Sequence, residues 1–172
     1  MLDLEAMGIG SNAAITAIGA VAFSNNKIES EFYESIHLET SMSVGLTVEA
    51  QTIEWWMKQD ENARKHLYDS NKVHLPVALV KFSEWINTFQ TDAKVWGNGA
   101  AFDNVVLRNA YTACRIEAPW KFWNDRCYRT MKSLYEDVTM RRVGTYHNAL
   151  DDAKSQALHL QEILREDEIE LR

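Results

Sequence analysis

The 172 residues are 46% hydrophobic, 10% aromatic and 25% charged, a balance that can bury a full core and excludes disordered, collagen-like and coiled-coil chains. With 18 Lys plus Arg against 25 Asp plus Glu, the net charge is −7, which argues against a protein that coats duplex phosphate by counterion release alone. At about 100–200 residues per domain, the length predicts a single domain over 1–172.

Residues 6–26 carry no charge, but Gly8, Gly10, Ser11 and Asn12 interrupt them. The apolar run left, Ala13 to Phe23, is too short to span a bilayer. No Lys or Arg precedes Lys27, so the basic start of a signal peptide is missing. Cys114 and Cys127 are too few for a disulfide framework and lack metal-ligand spacing. The expectation is a cytoplasmic protein in a reducing setting, with no membrane segment.

Ala13 to Phe23 is apolar at both alternating registers and predicts a strand covered on both faces, with a hairpin turn at Asn25-Asn26. From Ile28 to Ile36 apolar and polar residues alternate, which predicts a strand nearer the sheet edge. Helical spacing begins after Glu49, with Ile53, Trp56 and Met57 as the apolar set, and a short helix follows through Ala63 and Leu67. Pro76 suits the first turn of a helix whose stripe is Leu79, Phe82, Ile86 and Phe89. Lys94 to Trp96 reads as a short strand, and Lys121 to Asn124 as another. Helices are predicted at Asn104 to Ile116, at Tyr128 to Val138, and from Asn148 into the acidic tail. Three early strands followed by alternating helices and strands imply an α/β fold, a mixed sheet flanked by helices.

Three short motifs carry chemistry. Asp3 and Glu5 flank Leu4 on the first strand, where residues i and i+2 share a face roughly 6.6 Å apart, so both carboxylates can share a divalent cation. A chain this acidic yields roughly three or four acid-x-acid triplets by chance, so the triplet alone identifies nothing. Asp103 follows Trp96-Gly97-Asn98-Gly99 at a strand-to-helix junction, where an Asp either caps the helix or holds a metal. His147 precedes Asp151 and Asp152 at the start of the last helix, a pattern that also suits a solvated loop with an N-cap. Behind it, Ala149, Ala153 and Ala157 recur at i+4 and make a small-residue seam for close packing.

Taken together and in this order, Asp-x-Glu, the junction Asp and His-x-Ala-x-x-Asp-Ala resemble the three motifs of the DEDDh exonuclease superfamily. Asn12-Ala13-Ala14-Ile15, Thr52-Ile53-Glu54-Trp55-Trp56, Trp96-Gly97-Asn98-Gly99 and Phe122-Trp123-Asn124-Asp125 look closest to its bacterial and phage 3′-5′ exoribonuclease branch. The resemblance implies a ribonuclease-H-like fold whose first three strands are antiparallel, with parallel additions. It implies metal ligands at Asp3, Glu5, Asp103 and Asp152, two Mg²⁺ or Mn²⁺ ions about 3.5–4 Å apart, and His147 as general base. The implied substrates are single-stranded RNA or DNA 3′ ends, RNA favoured, released as nucleoside 5′-monophosphates. Ala6, Met7, Gly8, Asn98 and Phe102 are the implied substrate contacts, and relatives suggest a homodimer. Two departures stand out: Asn98 lies one residue earlier than in many relatives, and only Met1 and Leu2 precede Asp3. The family's five-residue step from the histidine selects Asp152 and leaves Asp151 as a first-turn acid that complements the helix dipole.

Overall fold

The computed structural model describes residues 1–89 and 92–171. Five strands, β1 (Leu2–Ala6), β2 (Ile15–Phe23), β3 (Ile28–Ser35), β4 (Val95–Gly97) and β5 (Asp125–Cys127), form one sheet in the order β3-β2-β1-β4-β5. β1, β2 and β3 pair antiparallel, and β4 and β5 add in parallel beyond β1. This is the mixed sheet expected above, with the alternating strand β3 at the edge.

Strand alternation divides β1 between two cores. Leu2 and Leu4 enter a cluster with Phe82 and Leu79 of α4 (Leu75–Ile86) and with Val106 and Leu107 of α5 (Asp103–Ala113). On the opposite face Met1 joins Val21, Trp96 and Tyr128, together with Ala153, Ala157 and Leu160 of the last helix. Chain order supplies the rest: α1 (Leu38–Ser43), α2 (Ala50–Met57) and α3 (Glu61–Arg64) precede α4, and α6 (Tyr128–Leu134) and α7 (Ala149–Glu166) follow α5. None of the described helices is long and apolar enough to cross a membrane.

The last helix packs against the sheet at an unusually short distance. Gly19 of β2 lies directly across from Asp3, and a Cβ there would fall 2.1 Å from the backbone carbon of Ala149. Only a residue without a side chain lets the first turn of α7 sit there, and Ala149, Ala153 and Ala157 continue the seam with no exposure.

Several elements differ from the expectations. Lys121 to Asn124 is not a strand: Phe122–Asn124 forms a 3₁₀ turn and pairing starts at Asp125. The Asp125 carboxylate accepts from Trp120 Nε1 (2.8 Å), Asn104 Nδ2 (3.0 Å) and Arg108 (2.6 Å), which fixes where β5 begins. The helix after Tyr128 ends at Leu134, because Tyr135 leaves helical geometry at φ −130° and ψ 60°. In α2 only Trp56 is buried; Ile53 and Met57 face solvent, so its stripe is narrower than their spacing suggests. Phe89 lies past the end of α4 and packs on Trp85. The short helix α1 has no counterpart in the sequence reading.

Met1 is buried against the sheet, and its carbonyl accepts from Val21 N–H at 2.9 Å. Beyond that pair β2 runs on to Phe23, and beside it β4 begins two residues ahead of Gly97, the partner of Leu2. Met1, Val21, Phe23, Trp85, Phe89 and Val95 line a cavity of about 860 Å³ at this end of β1. A short N-terminal extension rich in Val and Ile should continue β1 into this space, adding ladder hydrogen bonds and burying side chains. Its melting temperature should rise by roughly 2–4 °C for each kcal/mol gained; an extended chain that melts no higher than the 172-residue chain would refute this. Gly19→Ala should lower the unfolding free energy by about 1–3 kcal/mol, because the clash is with backbone that cannot rotate away. Denaturant titration should show it as a lower midpoint at unchanged slope.

Candidate active site

Asp3, Glu5 and Asp152 offer carboxylate oxygens that all lie within 4.8 Å of one another. β1 supplies the first two on the face opposite its leucines, and the first turn of α7 supplies the third. Asp103 is the first residue of α5, where Phe102 occupies the N-cap position without a side-chain cap. Instead of capping, Asp103 reaches across to β1 and accepts from Leu4 N–H at 3.2 Å, adjacent to the trio but outside it.

Burial raises every one of these carboxyls, and at Asp3 and Glu5 the neighbouring acids add to it. Asp3 is held well above the ordinary range by burial, then by the charges of Asp103 and Asp152, although Gln156 Nε2 donates to it at 2.7 Å. Glu5 is likewise raised by burial and by Asp3, Asp152 and Asp103. Asp103 is pushed up to about 7 by burial, with the Leu4 hydrogen bond opposing. Asp152 is raised by burial, against the pull of Arg142, whose guanidinium is bonded to its Oδ1.

The set fits a hard divalent cation. Glu5 Oε1 is buried with no hydrogen-bond partner, an expensive state for a carboxylate unless a cation meets it. A guanidinium already meets Asp152, and all the donors are oxygens, the type preferred by Mg²⁺ and Mn²⁺.

His147 stands at the mouth of this group. Its backbone N–H donates to Asp152 Oδ2 at 3.3 Å, and its φ of 61° lies in the left-handed region, a conformation costing on the order of 1–3 kcal/mol that clusters at functional sites. The ring meets Tyr146 and Trp55 edge to face, with centroids 3.9 and 4.8 Å away. Burial lowers its pKa, Asp152 opposes that and Arg142 reinforces it.

The loop before α7 is fastened to the helix it feeds. Asn148 is the N-cap, accepting from Leu150 N–H and Asp151 N–H at 3.1 Å. Asp151 faces the loop: it accepts from Thr145 N–H at 2.7 Å, and Gly144, at φ 68°, leaves no room for a Cβ above its carboxylate. Ser155 Oγ accepts from Val143 N–H at 3.0 Å. The role read for Asp151 as a first-turn acid is therefore incomplete, since it also holds the loop that carries His147.

Beside Glu5 lies a groove of about 370 Å³ lined by Glu5, Ala6, Gly8, Trp55, Trp56 and Phe102, among others. Of the implied substrate contacts, Ala6, Gly8 and Phe102 face this groove. Met7 does not: its side chain is buried against Trp56 and Ala63. Asn98 is also absent from the lining, and its carbonyl accepts from Arg129 at 2.8 Å. Among the tryptophans, Trp56, Trp96 and Trp120 are buried, whereas Trp55 and Trp123 are exposed. Arg108 is tied to Asp125 in an ion pair at 2.6 Å.

Sequence reasoning passed over three contributors. Gln156 follows Asp152 by one helical turn, so the i+4 spacing was a usable signal. Glu49, whose Oε1 accepts from Ile9 and Gly10 N–H at 3.1 Å and so shapes one groove wall, gave none. The placement of Trp55 against His147 joins residues distant in the chain and left no local trace.

Comparison with known proteins follows the same lines. The exodeoxyribonuclease of Enterobacteria phage T4 is 28% identical over 157 residues, 76% of this chain and 68% of that protein. The crystal structure of a full-length 3′-exonuclease superposes with a TM-score of 0.61 at 16% identity, covering 99% of this chain and 82% of its own. Cell-death related nuclease 4 (CRN-4) gives a TM-score of 0.54 at 14% identity, over 96% of this chain and 62% of its own. Both likenesses concern the fold, which is ribonuclease-H-like. A family model for the 3′-5′ exoribonuclease Rv2179c-like domain matches residues 1–164, and the chain belongs to that family of DEDDh-type 3′-5′ exonucleases.

Proposed function

We propose that this chain is a divalent-metal-dependent 3′-5′ exonuclease, working in a reducing, cytoplasmic setting, that releases nucleoside 5′-monophosphates from single-stranded 3′ ends, with RNA favoured. The observation that carries the reading is the convergence of Asp3, Glu5 and Asp152 on one point beside the groove, with Asp103 adjacent. Asp3, Glu5, Asp103 and Asp152 would hold Mg²⁺ or Mn²⁺. When bound, such ions lower the pKa of water and stabilise charge on the leaving 3′ oxygen.

The protein's own groups do the remainder. The groove's volume of about 370 Å³ is at the small end of ligand pockets, a size that suits one terminal nucleotide. A pocket of this size disfavours a paired end, which must first be unpaired. Trp55, at 41% exposure on the groove wall, offers a face for stacking. His147, kept neutral by burial and oriented by Trp55 and Tyr146, takes the proton from the attacking water.

RNA is preferred here on the family's description as an exoribonuclease. The phage relative bears the name exodeoxyribonuclease, so single-stranded DNA is the second reading. Matched single-stranded RNA and DNA of one sequence, each 3′-labelled, decide between them. Faster RNA cleavage is expected; equal or faster DNA cleavage selects the second reading. Binding without cleavage under either Mg²⁺ or Mn²⁺ would point to a non-catalytic nucleic-acid-binding module.

Substitution separates the roles. Ala at Asp3, Glu5, Asp103 or Asp152 should weaken metal binding in calorimetry and abolish turnover together. His147→Ala should bind metal normally and slow single-turnover cleavage by roughly 10²–10⁴-fold, the residual rate rising with pH as hydroxide replaces the base. In the parent, a lowered imidazole pKa keeps His147 in its base form further into acid, so the acidic limb of the rate profile should fall below the ordinary value near 6.5. Asp151→Ala should spare metal affinity and slow cleavage less than His147→Ala, through the loosened loop. Loss of metal binding in Asp151→Ala with none in Asp152→Ala would invert the assignment.

A further inference from the structure

Among the described residues, Arg142 is the only basic side chain bonded to any of the site's carboxylates. It is bonded to Asp152 Oδ1, its Cζ lies 3.9 Å from the centre of the Tyr146 ring, and its side chain remains 34% exposed. The backbone beside it is fixed, because Ser155 holds Val143 and Asp151 holds Thr145. The side chain can therefore swing while its anchor stays put. A guanidinium on Asp152 and a divalent cation held by the same carboxylate would compete for its charge.

We infer that Arg142 exchanges partners during the catalytic cycle: it neutralises Asp152 while the metal is absent, and on metal binding it moves to the phosphate of the departing nucleotide. The inference rests on the metal-dependent reading above. A guanidinium released next to Asp152 suits a phosphate, which it can grip through two parallel N–H···O bonds. In a chain of charge −7, holding this cation in reserve at the acidic site avoids an open anionic pocket before the metal arrives and supplies a phosphate ligand after it. The contact with Tyr146, the neighbour of His147, keeps the guanidinium close to the loop that carries the imidazole.

Arg142→Gln gives a signature that mere structural damage does not. Without nucleotide, Mn²⁺ titrated by calorimetry should bind the variant more tightly, by roughly fivefold or more, because its competitor is gone. With Mn²⁺ saturating, adenosine 5′-monophosphate should bind it more weakly, by roughly tenfold or more, because a charged hydrogen-bond donor is lost. Damage to the site would weaken both. Arg142→Lys, which keeps a charge but not the fork, should fall between, and it serves as the test should the Gln variant fail to fold. Unchanged or weaker Mn²⁺ binding by Arg142→Gln would overturn the exchange, and so would unchanged nucleotide binding. Should the unaltered chain bind no Mn²⁺, or Asp152→Ala bind it equally well, the metal reading itself falls and the inference with it; in the first two outcomes that reading stands.

Discussion

The absence of a side chain at Gly19 decides how close α7 comes to the sheet, and the site depends on that distance. Gly19 is the register partner of Asp3, so the place where the helix backbone touches β2 is also the place where β1 presents its first carboxylate. From there the geometry is forced. Ala149, Ala153 and Ala157 lie along the contact with no exposure, and the same helical face brings Asp152 to Asp3 and Glu5 and Gln156 to Asp3. Side chains of ordinary size in this seam would push α7, and Asp152 with it, away from Asp3 and Glu5.

Such proximity is electrostatically unfavourable, and the protein meets it with few internal compensations. Asp3 has Gln156, Asp103 has the Leu4 N–H, and Asp152 has Arg142 and the His147 N–H. Glu5 Oε1 has none. Buried carboxyls left this way hold protons above their usual range, as groups at functional sites do. On the proposed metal-dependent reading, a chain of charge −7 leaves the bound cation to meet the phosphate of its substrate.

What the sequence disclosed and what it concealed follow from the range of each interaction. Leucines alternating with acids in β1, the i+4 alanines of α7 and the apolar run of β2 are local patterns, and each produced the element and face it predicts. The 3₁₀ turn at Phe122–Asn124 was hidden because β5 begins where Asp125 is gripped by Trp120, Asn104 and Arg108, two of which lie on a different helix. In α2, helical spacing was correct but burial was not, since Trp56 is its one buried residue, packed against Met7 and Ala63 with its indole N–H donating to the Ala6 carbonyl at 3.0 Å. Met7 illustrates the same limit: adjacency to Glu5 in the chain says nothing about which side of a strand end faces the groove.

Asp151 and Asp152 show how a helix turns two identical neighbours to different work. Successive residues point about 100° apart around the axis, so one faces the sheet and the other the incoming loop. Asp152 meets Asp3 and Glu5. Asp151, aligned one turn before Ser155, binds Thr145 N–H, sits beneath Gly144 and draws the loop down. That loop is the segment that must bring His147 back over Asp152, and it does so through a left-handed φ that an unrestrained chain would relax. The cost of that conformation is met by the Asn148 cap and by the Asp151 and Ser155 clamps, all from the first two turns of α7. One helix start therefore positions both a carboxylate and the imidazole beside it, and a shift of α7 along the Gly19 contact would displace the two together.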